Sequence, residues 1–250
     1  MCKKLCLLFI VLFWNFNCSK DNYSINDLGF VEDLDTPEEN QNTNNQTNFK
    51  LLALGDSYTI GEGVCDTCSF PEQLKDKLKS EMGADKTFDL KIIAQTGWTT
   101  SRLINAINDE NLSKDYDLVT LLIGVNNQFQ GLSFSIFERE FNQLIDKSIV
   151  IAKGDKSNII VISIPDYSFT PYGANFASTV NVSAQIDNYN AFIQSFCDSN
   201  NLDFVNITDL SRTGLTNTSL VADDGLHLST LAYNRVVNLM LPLVLKKLNN

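Results

Sequence analysis

From Phe49 onward the chain alternates between two apolar patterns. Five short runs, 49–54 (FKLLAL), 88–94 (FDLKIIA), 117–124 (DLVTLLIG), 158–164 (NIIVISI) and 202–208 (LDFVNIT), are rich in Ile, Leu and Val with little polar interruption. Near-continuous apolarity predicts strands buried on both faces. Between the runs, apolar residues recur at helical spacing. In 69–82 (SFPEQLKDKLKSEM), Phe70, Leu74 and Leu78 fall every fourth residue, and Pro71 sits where a first-turn proline is tolerated. Further helices are predicted over 99–109, 134–153, 183–199 and 229–248. Five strand–helix alternations predict an α/β domain over 49–250, a parallel sheet with right-handed crossovers and helices on both faces. The expected strand order is 2-1-3-4-5. No segment repeats at a period of 20–50 residues, which excludes a solenoid.

The residues ahead of Phe49 follow neither pattern. Residues 18–48 are rich in Asn, Gln, Thr, Asp and Glu with no periodicity, the composition of a flexible tether. A coil of that length reaches about 30 Å. Before it, Lys3 and Lys4 precede a short apolar run, Leu5–Trp14, too short to span a bilayer comfortably. Cys18 follows, then Ser19-Lys20-Asp21. Residues 1–17 resemble a bacterial lipoprotein signal peptide, although Asn15 and Asn17 depart from the aliphatic and small residues usual at those positions. The resemblance implies lipidation of Cys18 and an exported protein anchored to the outer membrane or cell surface of a Gram-negative bacterium, or else secreted or periplasmic.

Composition narrows the partners. With 19 basic and 30 acidic residues the net charge is −11, and loss of residues 1–17 removes only two lysines, which makes it −13. An acidic surface without a basic stripe repels phosphate backbones, so no nucleic-acid partner is expected; the protein is expected to act as a monomer. Cys65 and Cys68, in CDTC, are spaced for a small disulfide in an oxidising compartment. They also fit a thioredoxin-like redox pair between a first strand and a helix. Cys197 lies in a helical pattern and reads as a buried small apolar residue.

In parallel sheets, functional residues gather in loops at the carboxyl ends of the strands. Gly55-Asp56-Ser57 leaves the first strand, Gly97 follows the second and Asn126 the third, so all three share one edge. A serine hydroxyl needs a base to become a nucleophile, and His227, the one histidine of the chain, is the group that titrates near neutrality. Asp224, three residues earlier, is placed to orient the imidazole. The backbone N–H groups of Ser57 and Gly97 and the side-chain amide of Asn126 are candidate donors for the oxyanion that attack would create.

These segments, GDSYTIGEG, AQTGWTT, IGVNNQ and DGLHLS in this order, resemble the sequence blocks of the SGNH, or GDSL-type, esterase and lipase superfamily across about residues 49–248. The resemblance implies a flavodoxin-like three-layer α/β/α fold with Ser57 as nucleophile. It implies Gly97 and Asn126 as oxyanion contacts and Asp224–His227 as the base pair. Members often carry Gly-x-Asn-Asp in the third block, where this chain has Gly124-Val125-Asn126-Asn127.

Other chemistries fit less well. Thr59 stands where an α/β-hydrolase elbow needs a second glycine, KGDKS at 153–157 is not a phosphate-binding loop, and one histidine with no cysteine cluster leaves too few ligands for zinc. Asp223-Asp224 reads as a turn rather than a glycosidase pair. No cofactor or metal is expected. The predicted activity is hydrolysis of carboxylic esters through an acyl-enzyme. Candidate substrates are small acyl esters, lysophospholipids and acetylated glycans, and Trp98, Asn127 and Tyr167 (in the loop PDYSFTPYG, 165–173) are candidate pocket residues. An acyltransferase using the same triad and a non-catalytic surface binding lipoprotein are the alternatives.

Overall fold

The computed structural model describes residues 46–176 and 179–249. The signal segment 1–17, the lipidation candidate Cys18 and all but the last three residues of the tether lie outside them. Five strands, β1 (Asn48–Gly55), β2 (Thr87–Ala94), β3 (Leu118–Leu122), β4 (Ile159–Ile162) and β5 (Asp203–Val205), form one parallel sheet in the order β2-β1-β3-β4-β5. Its helices are α1 (Ser57–Ile60), α2 (Phe70–Met82), α3 (Thr100–Asp109), α4 (Val125–Phe129), α5 (Phe134–Ile151), α6 (Pro171–Phe176), α7 (Thr179–Asn200), α8 (Thr208–Ser211) and α9 (Thr230–Leu248). Helices α2 and α9 pack together on one face of the sheet, and α3 and α5 pack together on the other. This is the α/β fold and strand order expected from the alternation of patterns.

Burial follows strand position. β3 and β4 are buried throughout, and Leu51–Leu54 of β1 are buried as well. β2 is an edge strand, and only Phe88 and Ile93 of it are buried. The mixed polarity of FDLKIIA is therefore an edge signature rather than a doubly covered strand. An aromatic cluster fills the space between α5 and α7: Phe137 stacks near Tyr189 (4.5 Å between centroids) and Phe192 (5.8 Å), and Phe141 meets Phe196 edge-on at 5.5 Å. Such pairs add about 0.5–1.5 kcal/mol each beyond area burial. Among the described residues, no helix is long and apolar enough to cross a membrane.

Register explains why the candidate residues meet. Gly55 pairs with Ala94 of β2 on one side and with Leu122 of β3 on the other. The first three strands thus end at one level, and their loops open onto the same edge. Three of the elements there, α1, α4 and α8, are helices of one turn or little more. Their length puts them below what apolar periodicity can reveal.

Candidate active site

Ser57 stands at a tight elbow. A Cβ on Gly55 would lie 2.0 Å from Thr59 Oγ1 and 2.4 Å from the Leu122 carbonyl oxygen. Glycine alone lets the strand turn straight into α1 here. Asp56 caps that helix by accepting the Tyr58 N–H at 3.1 Å, and Ser57 itself is 4% exposed. Asp56 is fully buried. Burial pushes its carboxyl up to about 7, with the Tyr58 amide and the neighbouring Asn126 amide pulling the other way. The Asn126 amide acts from close by without completing a hydrogen bond: Asp56 Oδ2 and Asn126 Nδ2 are both buried and unpartnered.

His227 and Asp224 share a closed turn. Val221 and Leu228 bridge antiparallel, Ala222 N–H donates to the His227 carbonyl at 2.8 Å, and Gly225 takes φ +73°. Within the turn, Asp224 Oδ1 accepts the N–H groups of Leu226 (2.8 Å) and His227 (2.9 Å), while Oδ2 lies 2.6 Å from His227 Nδ1. Burial raises the Asp224 pKa, but the bonds from the His227 ring, the His227 amide and the Leu226 amide outweigh it, and the net shift is downward. An ionised carboxylate only accepts, so Nδ1 carries the proton and Nε2 is left as the basic nitrogen. Tyr58 packs its ring 5.1 Å from the imidazole. Gly63 backs the aspartate so closely that a Cβ there would meet Asp224 Oδ2 at 2.8 Å.

The candidate oxyanion donors are held rather than loose. Gly97 takes φ +80°, a conformation that favours glycine. Its carbonyl accepts from Gln130 Nε2 at 3.0 Å. Asn127 Oδ1 accepts the Thr100 N–H at 3.0 Å, and its Nδ2 donates to Thr100 Oγ1 at 2.7 Å. Thr100 Oγ1 in turn donates to Glu140 at 2.5 Å. Asn127 and Gln130, one and four residues after Asn126, therefore clamp the Gly97 loop. Among the described residues, no hydrogen bond engages the Ser57 N–H or the Gly97 N–H, and Asn126 Nδ2 is unpartnered too. A buried donor without a partner ordinarily costs about 1–3 kcal/mol. Its persistence here fits a group kept free for a ligand atom.

A cavity of about 230 Å³ opens over this arrangement, lined by Ser57, Gly97, Asn126 and His227 and walled by Tyr58, Val125, Phe129, Tyr167, Tyr172 and Leu226. Tyr167 thus lines the cavity. Asn127 does not: it is completely buried and spends its amide on Thr100, so it supports the site from behind. Trp98 does not line this cavity either. It faces an adjoining depression across Gly97. Phe129, Tyr172 and Leu226 escaped sequence reasoning, although Tyr172 belongs to the aromatic loop that drew attention. Gln130 and Asp56 carried no signal of their own. Cys65 and Cys68 form a disulfide. Cys197 is buried, and burial pushes its thiol up to about 12, so it is unreactive.

The sequence profile of the GDSL-like lipase/acylhydrolase family matches residues 53–235. None of the curated proteins matches the chain in sequence. Among solved structures, a psychrotrophic esterase from Pseudoalteromonas sp. is similar over 80% of this chain and 99% of its own, with 18% identity and a TM-score of 0.55. An acetylxylan esterase from Geobacillus stearothermophilus is similar over 78% and 94%, with 17% identity and a TM-score of 0.60. A lipase/acylhydrolase from Enterococcus faecalis is similar over 78% and 94%, with 18% identity and a TM-score of 0.58.

Proposed function

The chain belongs to the GDSL-like lipase/acylhydrolase family and is a carboxylic ester hydrolase, and from that premise we propose that Ser57 is its nucleophile, His227 its base and Asp224 the group that aims the base. Ser57 Oγ attacks the ester carbonyl carbon while His227 Nε2 takes its proton. The carbonyl oxygen, now an anion, accepts hydrogen bonds from the Ser57 and Gly97 N–H groups and from Asn126 Nδ2. When the tetrahedral adduct collapses, the carbon–oxygen bond to the alcohol breaks and His227 returns the proton to the departing oxygen. Water then repeats the sequence on the acyl-enzyme, with His227 again as base, and the acid leaves with Ser57 restored.

The observation that carries this reading is the unspent hydrogen-bonding capacity around Ser57. Ser57, Gly97, Asn126 and the Asp224-bound imidazole line one cavity, and among the described residues the Ser57 N–H, the Gly97 N–H and Asn126 Nδ2 have no hydrogen-bond partner. A merely structural asparagine would ordinarily have its buried amide paired.

The cavity also bounds the acyl group. A cavity of roughly 150 Å³ accommodates benzene. By that measure, the 230 Å³ here takes an acyl chain of about nine heavy atoms. Acetyl to octanoyl chains fit within this volume, and a palmitoyl chain would have to extend beyond the cavity's open side. The test compares p-nitrophenyl acetate, octanoate and palmitate with the wild type and Ser57→Ala. Turnover of the two shorter esters that vanishes in the variant supports the reading, and equal rates in both proteins end it. In the same reading, a lipidated Cys18 tethers the enzyme to a membrane through residues 18–48. Cys18→Ala should then move the protein from the membrane fraction to the soluble one.

A further inference from the structure

Beside the apolar cavity lies a second, open depression of about 510 Å³, and Thr96 and Gly97 line both. Its character is opposite. Trp98 provides a half-buried aromatic surface, and Gln95, Arg102, Asn105 and Asp109 surround it with exposed polar groups. Arg102, Asn105 and Asp109 stand at i, i+3 and i+7 on α3 and share one helix face. That face runs about 10 Å along the axis.

None of these four polar side chains makes a hydrogen bond or ion pair with another described residue. Their neighbours on the same helix do otherwise: Asn108 accepts from Lys147, and Ser101 donates to Glu140. The single cation and single anion balance each other, so the depression attracts neither a phosphate nor an ammonium group in particular. Donors, acceptors and one aromatic face without net charge suit a polyhydroxylated ring. Its hydroxyls give and take hydrogen bonds, and its C–H face covers an indole.

We propose that this depression is the subsite for the alcohol half of the substrate and that the alcohol is a sugar. The inference rests on the esterase reading above, and the two cavities divide the ester between them. The acyl group enters the apolar cavity, the carbonyl oxygen sits at Gly97 and Asn126, and the glycosyl oxygen leads past Thr96 toward Trp98. Trp98 and the α3 face set specificity by binding. They touch no atom that reacts.

The test is the ratio of kcat/KM for mono-O-acetylated xylobiose, whose other hydroxyls are free, to kcat/KM for p-nitrophenyl acetate, which has no sugar to place. Trp98→Ala, and separately Asn105→Ala with Asp109→Ala, should lower this ratio about tenfold, mainly through KM for the sugar ester. Substitution that merely disturbs the Gly97 loop would lower both constants together and leave the ratio unchanged, which overturns the proposal. So would a wild type that cleaves p-nitrophenyl acetate but not the sugar ester. A lysophospholipid ratio that falls in the same variants, with the sugar ratio constant, would reassign the subsite to a lipid head. If neither ester is cleaved faster than by Ser57→Ala, the esterase reading fails first.

Binding gives an independent readout. The chain has two tryptophans, Trp14 and Trp98, so the full chain carrying Trp14→Phe and Ser57→Ala reports on Trp98 alone. Saturable change of its emission with acetylated xylobiose is expected, and a flat titration up to the ligand's solubility limit contradicts the subsite.

Discussion

Replacing Asn126 by alanine should damage activity and leave the fold as stable as before, or more so. Asn126 Nδ2 is buried and has no hydrogen-bond partner among the described residues. Truncation removes an unsatisfied donor, a relief of about 1–3 kcal/mol set against the loss of the amide's pull on the buried Asp56 carboxyl and of a few contacts at the cavity wall. For a domain of this size a kilocalorie moves the melting temperature by about 2–4 °C. The variant should therefore melt within about 4 °C of the wild type or above it. Catalysis should behave in the opposite way. One oxyanion donor is worth about 2.7–4 kcal/mol in the transition state, a loss of 10²–10³ in kcat with little change in KM. The assay is steady-state hydrolysis of p-nitrophenyl acetate beside a thermal melt of the same preparation. A variant that turns over near the wild-type rate removes Asn126 from the oxyanion site. A variant that loses activity and more than about 4 °C of melting temperature together would make Asn126 a structural residue, and the argument from its unpartnered amide would be wrong.

Three further perturbations probe the supports of the site. Asn127→Ala leaves the buried Thr100 N–H unpartnered and takes one of two partners from the Thr100 hydroxyl, which still donates to Glu140; it should cost about 1–3 kcal/mol in denaturant unfolding with a drop in kcat, and an unchanged unfolding midpoint would refute the clamp. Gly63→Ala puts a methyl 2.8 Å from Asp224 Oδ2 at φ +83°, so it should both strain the loop and displace the aspartate, lowering kcat about tenfold. Full activity in that variant would show that the Asp224 position is tolerant. Asp56 holds its proton to about pH 7 in the folded chain, against 3.8 as its ordinary value. Between those values the folded state binds more protons than the unfolded one, so this residue makes stability fall as pH rises from about 4 to 7. Asp56→Asn, which keeps the acceptor for Tyr58, should flatten that slope in melts at pH 5 and pH 7.5; an identical slope in both proteins would contradict the raised pKa.

The sheet was legible because three of its strands are short Ile/Leu/Val runs with helices on either side, and such runs have few other places to go. FDLKIIA shows the limit. Its Asp89 and Lys91 mark an edge strand with one open flank, a distinction that depends on the neighbouring strands rather than on the run itself. At the site, residues defined by chemistry stood out: a single histidine three places after an aspartate, and a serine, a glycine and an asparagine at strand ends. Residues defined by geometry did not. Asn127 looks like a pocket residue because it adjoins Asn126, yet one helical step of about 100° turns it into the interior. Trp98 adjoins Gly97 and faces away from the cavity for the same kind of reason. The Gln130 bond to the Gly97 carbonyl and the burial of Asp56 depend on how two loops stack, which no local pattern encodes.

The most direct test of the central claim is to trap the nucleophile. The protein would be incubated with an ethyl p-nitrophenyl alkylphosphonate, the modified peptide located by mass spectrometry, and residual ester hydrolysis measured against the extent of labelling. The account predicts one phosphonyl group per chain, carried by Ser57, with activity falling in proportion and labelling slowed by orders of magnitude in His227→Ala. Full labelling that leaves ester hydrolysis intact, or a label on any residue other than Ser57, would contradict it.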